Sequence, residues 1–254
     1  MGKVKVIDYK KKFMNGFHIL CRRKAEYEVW KDLMYLFAVE IQNTAQRPWK
    51  EKDKKLSVVW EKREEEYKRI ARKYDEFERT KVIPQMFTAM VLEFDKNIDH
   101  DLLGEIYMML GISSNNKGQF FTPYSISKCM AEMTINKKAI KQMVKEKGYI
   151  TMNDCACGAG STMIAGINIV KEMFHRLNWQ NHIFVQCQDL DETCAQMCYI
   201  QLSLIGCAAT VSVGNTLTEP VVTDLERLWF TPMYYSEVWQ TRFMFERLAK
   251  MEKK

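Results

Sequence analysis

Three short runs in the second half of the chain, "GYITMNDC" (148–155), "HIFVQCQD" (182–189) and "AATVSVG" (208–214), constrain its fold more than any other feature. Each is apolar or β-branched, each ends at a polar residue or glycine, and helix-like sequence follows the first two. The pattern predicts strand, helix, strand, helix, strand. Such alternation implies an α/β fold with a parallel sheet of about three strands and right-handed crossovers. Ligands in that architecture bind beyond the carboxyl ends of the strands.

The sequence before these runs reads as helical. Residues 22–46 place Tyr27, Trp30, Leu33, Met34, Phe37, Ala38 and Ile41 at three- and four-residue steps, the spacing of an amphipathic helix, and Pro48 is expected to stop it. From about Lys52 to Glu78, Leu56, Val59, Trp60, Tyr67, Ile70 and Tyr74 mark one face. Interleaved charges that nearly cancel make the other a solvated face. Two further helices are expected over 82–95 and 99–110, the second opened by Asp99 as N-cap and closed by Gly111.

"SSNNKG" (113–118) is the clearest loop, and it suggests three parts. These are an all-helical N-terminal domain with a basic arm (1–116), an α/β half domain (117–220) and a C-terminal helical extension (221–254). In the last, "LERLWF" and "SEVWQTRFMFERLAKMEKK" look helical, with Leu228, Val238, Trp239, Phe243, Phe245 and Leu248 as candidates for burial.

Composition narrows the class. With 254 residues and 47% hydrophobic content the chain can bury a substantial core. No run of eighteen apolar residues and no secretory leader is found, so a cytoplasmic protein without a membrane span is expected. In the first 24 residues eight basic side chains face one acid, Asp8, so this segment carries more than the whole chain's +6. Such an arm suits contact with a DNA phosphate backbone, or equally a solvated terminus. The eight cysteines include no CxxC pair, and His18, His100, His175 and His182 lack ligand spacing. Reduced, mostly buried thiols and no metal are expected.

The strand ends carry the candidate site. After the first run come Asp154, Cys155, Ala156, Cys157, Gly158, Ala159, Gly160 and Ser161. Small residues let backbone approach a ligand, and amides at the following helix start favour a negative group. The second run ends at Asp189, placed to accept from ribose hydroxyls, with Asp191 just beyond. After the third stands Asn215, an amide that can pair with an adenine edge. Singly, each could be a cap or turn residue. Together they point to a nucleoside cofactor.

The ordered set "GQFFTP", "NDCACGAGSTMIAG", "QCQDLDETCAQMCYIQLSLIGCA" and "GNTLTEP" resembles the amino-methylating, adenine-specific DNA methyltransferases, over about residues 100–220. The likeness is closest to modification subunits of type I restriction systems and their small phage or mobile-element relatives. It implies a partial Rossmann-like sheet that binds S-adenosylmethionine. Phe121, Thr122 and Pro123 would line the methionyl end, and Asp154, Ala156, Gly158 and Gly160 would form the loop. Asp189 would take the ribose, and Asn215 would face the adenine where relatives usually have Asp.

The family's fourth motif, Asn or Asp followed by Pro-Pro and an aromatic residue, is absent from this sequence. Its carbonyl acceptors align the amine of a flipped base and its ring stacks on that base. "FTPMYYSEVW" (230–239) offers Pro232, Tyr234 and Tyr235 as weak substitutes, with packing as their alternative role. The family's strand order would leave the first strand at an edge. The C-terminal helices, the N-terminal helices, a second copy or another protein is expected to cover it. Two functions follow from the resemblance: methyl transfer to adenine in DNA when a partner completes the enzyme, or an inactive binding partner, decoy or regulator in restriction-modification or phage defence.

Overall fold

The computed structural model describes residues 8–111 and 121–251. Lys3 and Lys5 of the basic arm, the loop 113–118 and the start of "GQFFTP" lie outside the described residues.

The three runs form strands β1 (Ile150–Asp154), β2 (Ile183–Asp189) and β3 (Ala208–Val213), paired in parallel in the order β1-β2-β3. Helix α8 (Ser161–Met173) links β1 to β2, and α9 (Glu192–Leu204) links β2 to β3. With this strand order, right-handed crossovers put both helices on one face. Side-chain alternation agrees: Ile183, Val185 and Cys187 of β2 join Ala209 and Val211 of β3 in the main core. Phe184 and Ala208, which point the other way, join a separate aromatic cluster. That second face turns polar toward the strand ends, where Asn153 and Gln186 are exposed.

A fourth strand, β4 (Leu228–Phe230), pairs antiparallel with β3, so the expected helix at "LERLWF" is a 3₁₀ turn followed by a strand. Its anchor is distant in sequence. Trp229, 2% exposed, packs near Tyr199, and the Arg63 guanidinium stacks 4.1 Å over its ring. Arg63 also donates to the carbonyls of Glu226 and Leu228, each at 3.0 Å. Local composition could not show that a cation in a charged helix is buried to hold an edge strand.

The N-terminal helices are α1 (Tyr9–Leu20), α2 (Glu26–Lys50), α3 (Lys54–Ala71), α4 (Ile83–Lys96) and α5 (Leu102–Met109). Helix α2 packs on α9, so one continuous core runs from Phe13 through Trp30 and Ile200 to Val185. Pro48 does not end α2, which continues to Lys50. Gln46 donates to the Tyr235 hydroxyl at 2.8 Å and Trp49 lies against the Tyr235 ring, contacts that hold the last turn. The N-cap of α5 is Asp101, which accepts from Gly104 N–H at 2.9 Å, not Asp99. Asp99 accepts instead from the Tyr124 hydroxyl and from Lys128.

Helices α6 (Tyr124–Thr134) and α7 (Lys137–Lys147) precede β1, and α10 (Glu237–Met251) follows β4. Trp239 is fully buried and Phe243 packs beside it, whereas Val238, Phe245 and Leu248 are exposed, against expectation. Helix α10 lies at the amino ends of the strands, where Arg242 donates to Gly148 O at 2.8 Å. Among the described residues β1 has β2 as its sole strand neighbour, so the outward amides of this edge have no strand partner.

Candidate cofactor site

The carboxyl ends of β1 and β2 frame a cavity of about 210 Å³, lined by Phe121, Thr122, Asp154, Ala156, Gly158 and Asp189 among others. The loop between β1 and α8 is its floor, and its shape follows from its sequence. The two oxygens of Asp154 accept from Ala156 N–H at 3.1 Å and from the Thr162 hydroxyl, which ties both ends of the loop to β1. Gly158 has φ +53° and Gly160 φ +95°, the left-handed region that favours glycine. A Cβ on Gly158 would stand 3.1 Å from the Phe121 ring, so the Phe-Thr-Pro turn lies directly over the loop.

Asp189 joins the two strand ends. One of its oxygens accepts from Gly158 N–H at 2.8 Å and the other from Asp191 N–H at 2.9 Å. Burial pushes its carboxyl above the ordinary range, outweighing the pull of those two amide hydrogen bonds. Each oxygen has capacity for a further donor, so the half-buried carboxylate can still accept from a ligand hydroxyl. Asp191 is the N-cap of α9, accepting from Thr193 and Cys194 N–H.

The structure thus brings together Phe121, Thr122, Asp154, Ala156, Gly158 and Asp189. Gly160 sits just behind, as the N-cap of α8, and Pro123 lines an adjoining groove that shares Phe121 and Thr122. Asn215 is not among the residues lining the cavity. It is exposed and its side-chain oxygen accepts from Leu217 N–H at 3.0 Å, the turn role open to it from sequence. Thr216 beside it donates to Cys155 O at 2.7 Å, so this loop still borders the site.

Pro232, Tyr234 and Tyr235 are not brought to the cavity. Thr210 pairs with Phe230 near the start of β3, so the turn that follows β4 lies toward the opposite end of the sheet. There Tyr234 packs against Phe184, Phe230 and Phe243.

Sequence reasoning missed two contributors. One is Cys194, which lines the cavity together with Ser161, itself sharing a 2.9 Å hydrogen bond with Ser127 of α6. The other is Gln201, fully buried, which donates to Asp101 and to Ala159 O at 2.7 Å and accepts from Leu103 N–H. It couples the start of α5 to the loop, and no local signal distinguishes it from a surface amide of α9.

A family model described as N-6 DNA methylase matches residues 98–245, more than half of the chain. No curated protein matches. A solved structure assigned as a class I S-adenosylmethionine-dependent methyltransferase from Listeria monocytogenes aligns with TM-score 0.50 at 14% identity, covering 84% of this chain and 54% of that one. The type I restriction-modification system methyltransferase subunit from Streptococcus thermophilus aligns with TM-score 0.46 at 12% identity, covering 85% and 60%. The chain therefore spans only some 54–60% of the length of these structures. The Listeria likeness is one of fold.

Proposed function

The chain belongs to the N-6 DNA methylase family, and on that premise we propose that its cavity binds S-adenosylmethionine and serves methyl transfer to the adenine amino group in DNA once a partner completes the enzyme. The observation that carries this reading is the half-buried Asp189 carboxylate, fixed by the Gly158 amide at the floor of a cavity roofed by Phe121. The residues present fit the group. A carboxylate with spare acceptor capacity suits ribose hydroxyls, and the glycine floor leaves room that a Cβ would fill.

In this reading Asp189 orients the ribose. Phe121 and Thr122 shield the methionyl end, and the start of α8 favours its carboxylate. The bound cofactor supplies an electrophilic methyl group. The protein's share of catalysis is then positioning and exclusion of water rather than proton transfer. Exposed cations at Lys11, Lys12, Arg22 and Arg23 are available to DNA phosphates, whereas Lys10 is paired with Glu105 at 2.7 Å.

The sequence contains no Asn- or Asp-Pro-Pro-aromatic segment, and the Tyr234 region packs away from the cavity. The base-binding groups are accordingly assigned to a second polypeptide or second copy lying along the free edge of β1. The same observation supports a second reading, a cofactor-binding but non-catalytic partner or regulator of restriction-modification.

Calorimetric titration with S-adenosylmethionine tests the first step. Saturable binding that Asp189→Ala abolishes is expected, and its absence in the unsubstituted protein overturns the cofactor assignment. Methyl incorporation into DNA tests the second. The purified chain alone is expected to give none, so robust incorporation by it would refute the need for a partner. Failure in every complex that retains cofactor binding would favour the regulator.

A further inference from the structure

Beneath the loop that floors the cavity, three cysteines far apart in sequence converge. Cys157 comes from the loop, Cys187 from β2 and Cys198 from α9, and their sulfur atoms all lie within 4.8 Å of one another. Their exposures are 5%, 4% and 0%, so the sulfurs face one another in the core rather than solvent. A disulfide would require two of them to close to about 2.05 Å. A metal ion bound about 2.3 Å from each sulfur would instead hold the three about 4 Å apart. The observed triangle suits the second arrangement with little movement.

Gly160 is the N-cap of α8, and a Cβ placed on it would stand 2.9 Å from the Cys198 sulfur, so the cluster packs directly against the amino end of this helix. Cys194, one helical turn before Cys198, lines the cofactor cavity together with Cys157.

We propose that Cys157, Cys187 and Cys198 form a binding site for a divalent thiophilic cation, with zinc the best match. Thiolate ligands select zinc or monovalent copper over hard cations. A divalent ion leaves three thiolates with one net negative charge and monovalent copper leaves two, so burial favours the divalent ion. As each sulfur–metal bond forms, its thiol releases a proton to solvent, three for each ion bound. Zinc completes a tetrahedron with a fourth ligand, for which a water from the cavity that Cys157 lines is available.

The site would have a structural consequence. Cys157 lies between Asp154 and Gly158, and its N–H donates to Gln188 O at 3.0 Å, so a bound ion would pin the loop to β2 and α9. Tighter S-adenosylmethionine binding by the zinc-loaded protein follows only if the proposed function also holds, and the test below does not depend on it.

Reduced full-length protein, stripped of metal, is titrated with cobalt(II) and then with zinc, without S-adenosylmethionine. A single saturating equivalent is expected, with thiolate-to-cobalt charge-transfer absorption that zinc abolishes. Cys187→Ser and Cys198→Ser should each weaken binding by more than about ten-fold, and Cys129→Ser, an exposed thiol on α6, should leave it unchanged. A missing charge-transfer band in the unsubstituted protein, or a band unaltered in both serine variants, overturns the site. If the variants do not fold, alkylation in mild urea decides. Zinc should slow modification of Cys157, Cys187 and Cys198 but not Cys129, and equal rates with and without zinc refute the proposal.

Discussion

The two ends of the parallel sheet are built from opposite materials. At the carboxyl ends, Asp154, Gly158, Gly160 and Asp189 combine short side chains, positive φ and a carboxylate whose ionisation burial opposes. At the amino ends, Tyr149, Phe184 and Trp239 form a buried aromatic cluster with Tyr234 and Phe243 against it. Trp239 closes that end by donating to Gln180 O at 2.9 Å. One end gives up side-chain packing for a space with polar walls, and the other fills its space with rings. The proposed function and the aromatic packing thus lie at different ends of the same strands, a separation that four substitutions or conditions can test.

The largest effect is expected at the aromatic end. Trp239→Ala should cost about 3–5 kcal/mol in urea unfolding, while the folded fraction keeps its cofactor affinity in calorimetry. Lost affinity in a folded Trp239→Ala protein would break the separation. Asp189→Asn should do the reverse. Its cofactor affinity should fall by about 1.5–3 kcal/mol, the range for hydrogen bonds to a charged group. Its unfolding midpoint in the absence of ligand should move less than its affinity, because removing a carboxyl disfavoured by burial offsets the hydrogen bond lost where the new NH2 group faces Gly158 or Asp191 N–H.

Gly158→Ala places a Cβ at φ +53° and 3.1 Å from the Phe121 ring. A left-handed residue costs about 1–2 kcal/mol, and the methyl group also intrudes beneath Phe121. Affinity should therefore drop further than stability, and a Gly158→Ala protein with unaltered affinity would remove the loop from the site.

The smallest effect is a pH dependence. Burial raises the carboxyls of Asp189 and Asp101 in the folded state, so the folded chain holds protons that the unfolded chain has already released. Their contribution to stability is present at low pH and is lost as pH rises from the ordinary carboxylate range through the raised values. Urea midpoints measured across that window should fall less steeply for Asp189→Asn than for the unsubstituted protein. Identical slopes would show that Asp189 is not destabilised by burial.

Much of the architecture at the carboxyl end of the sheet was legible from sequence because its signals are local. Strand runs ending in acid or glycine, the caps of the following helices and the small residues between Asp154 and Ser161 each depend on neighbours a few positions away. The three strands and α8 and α9 stand where these signals put them. Asn215 shows the limit. The same residue type that can face an adenine also makes a turn, and here its side-chain oxygen is committed to Leu217 N–H.

The sequence by itself determined the periodic elements, the parallel α/β sheet and the chemistry at the ends of β1 and β2, since side-chain alternation and backbone propensity act within a few residues. Only the tertiary structure decided what distant partners settle. The fit of Arg63 on Trp229 accompanies a strand where a helix was expected, and Tyr235 carries α2 past Pro48. Helix α10 leaves Phe245 and Leu248 exposed because only the side bearing Trp239 and Phe243 meets the sheet. The convergence of Cys157, Cys187 and Cys198 has the same cause. A loop, a strand and a helix bring the three sulfurs to one point, and no spacing along the chain encodes that meeting.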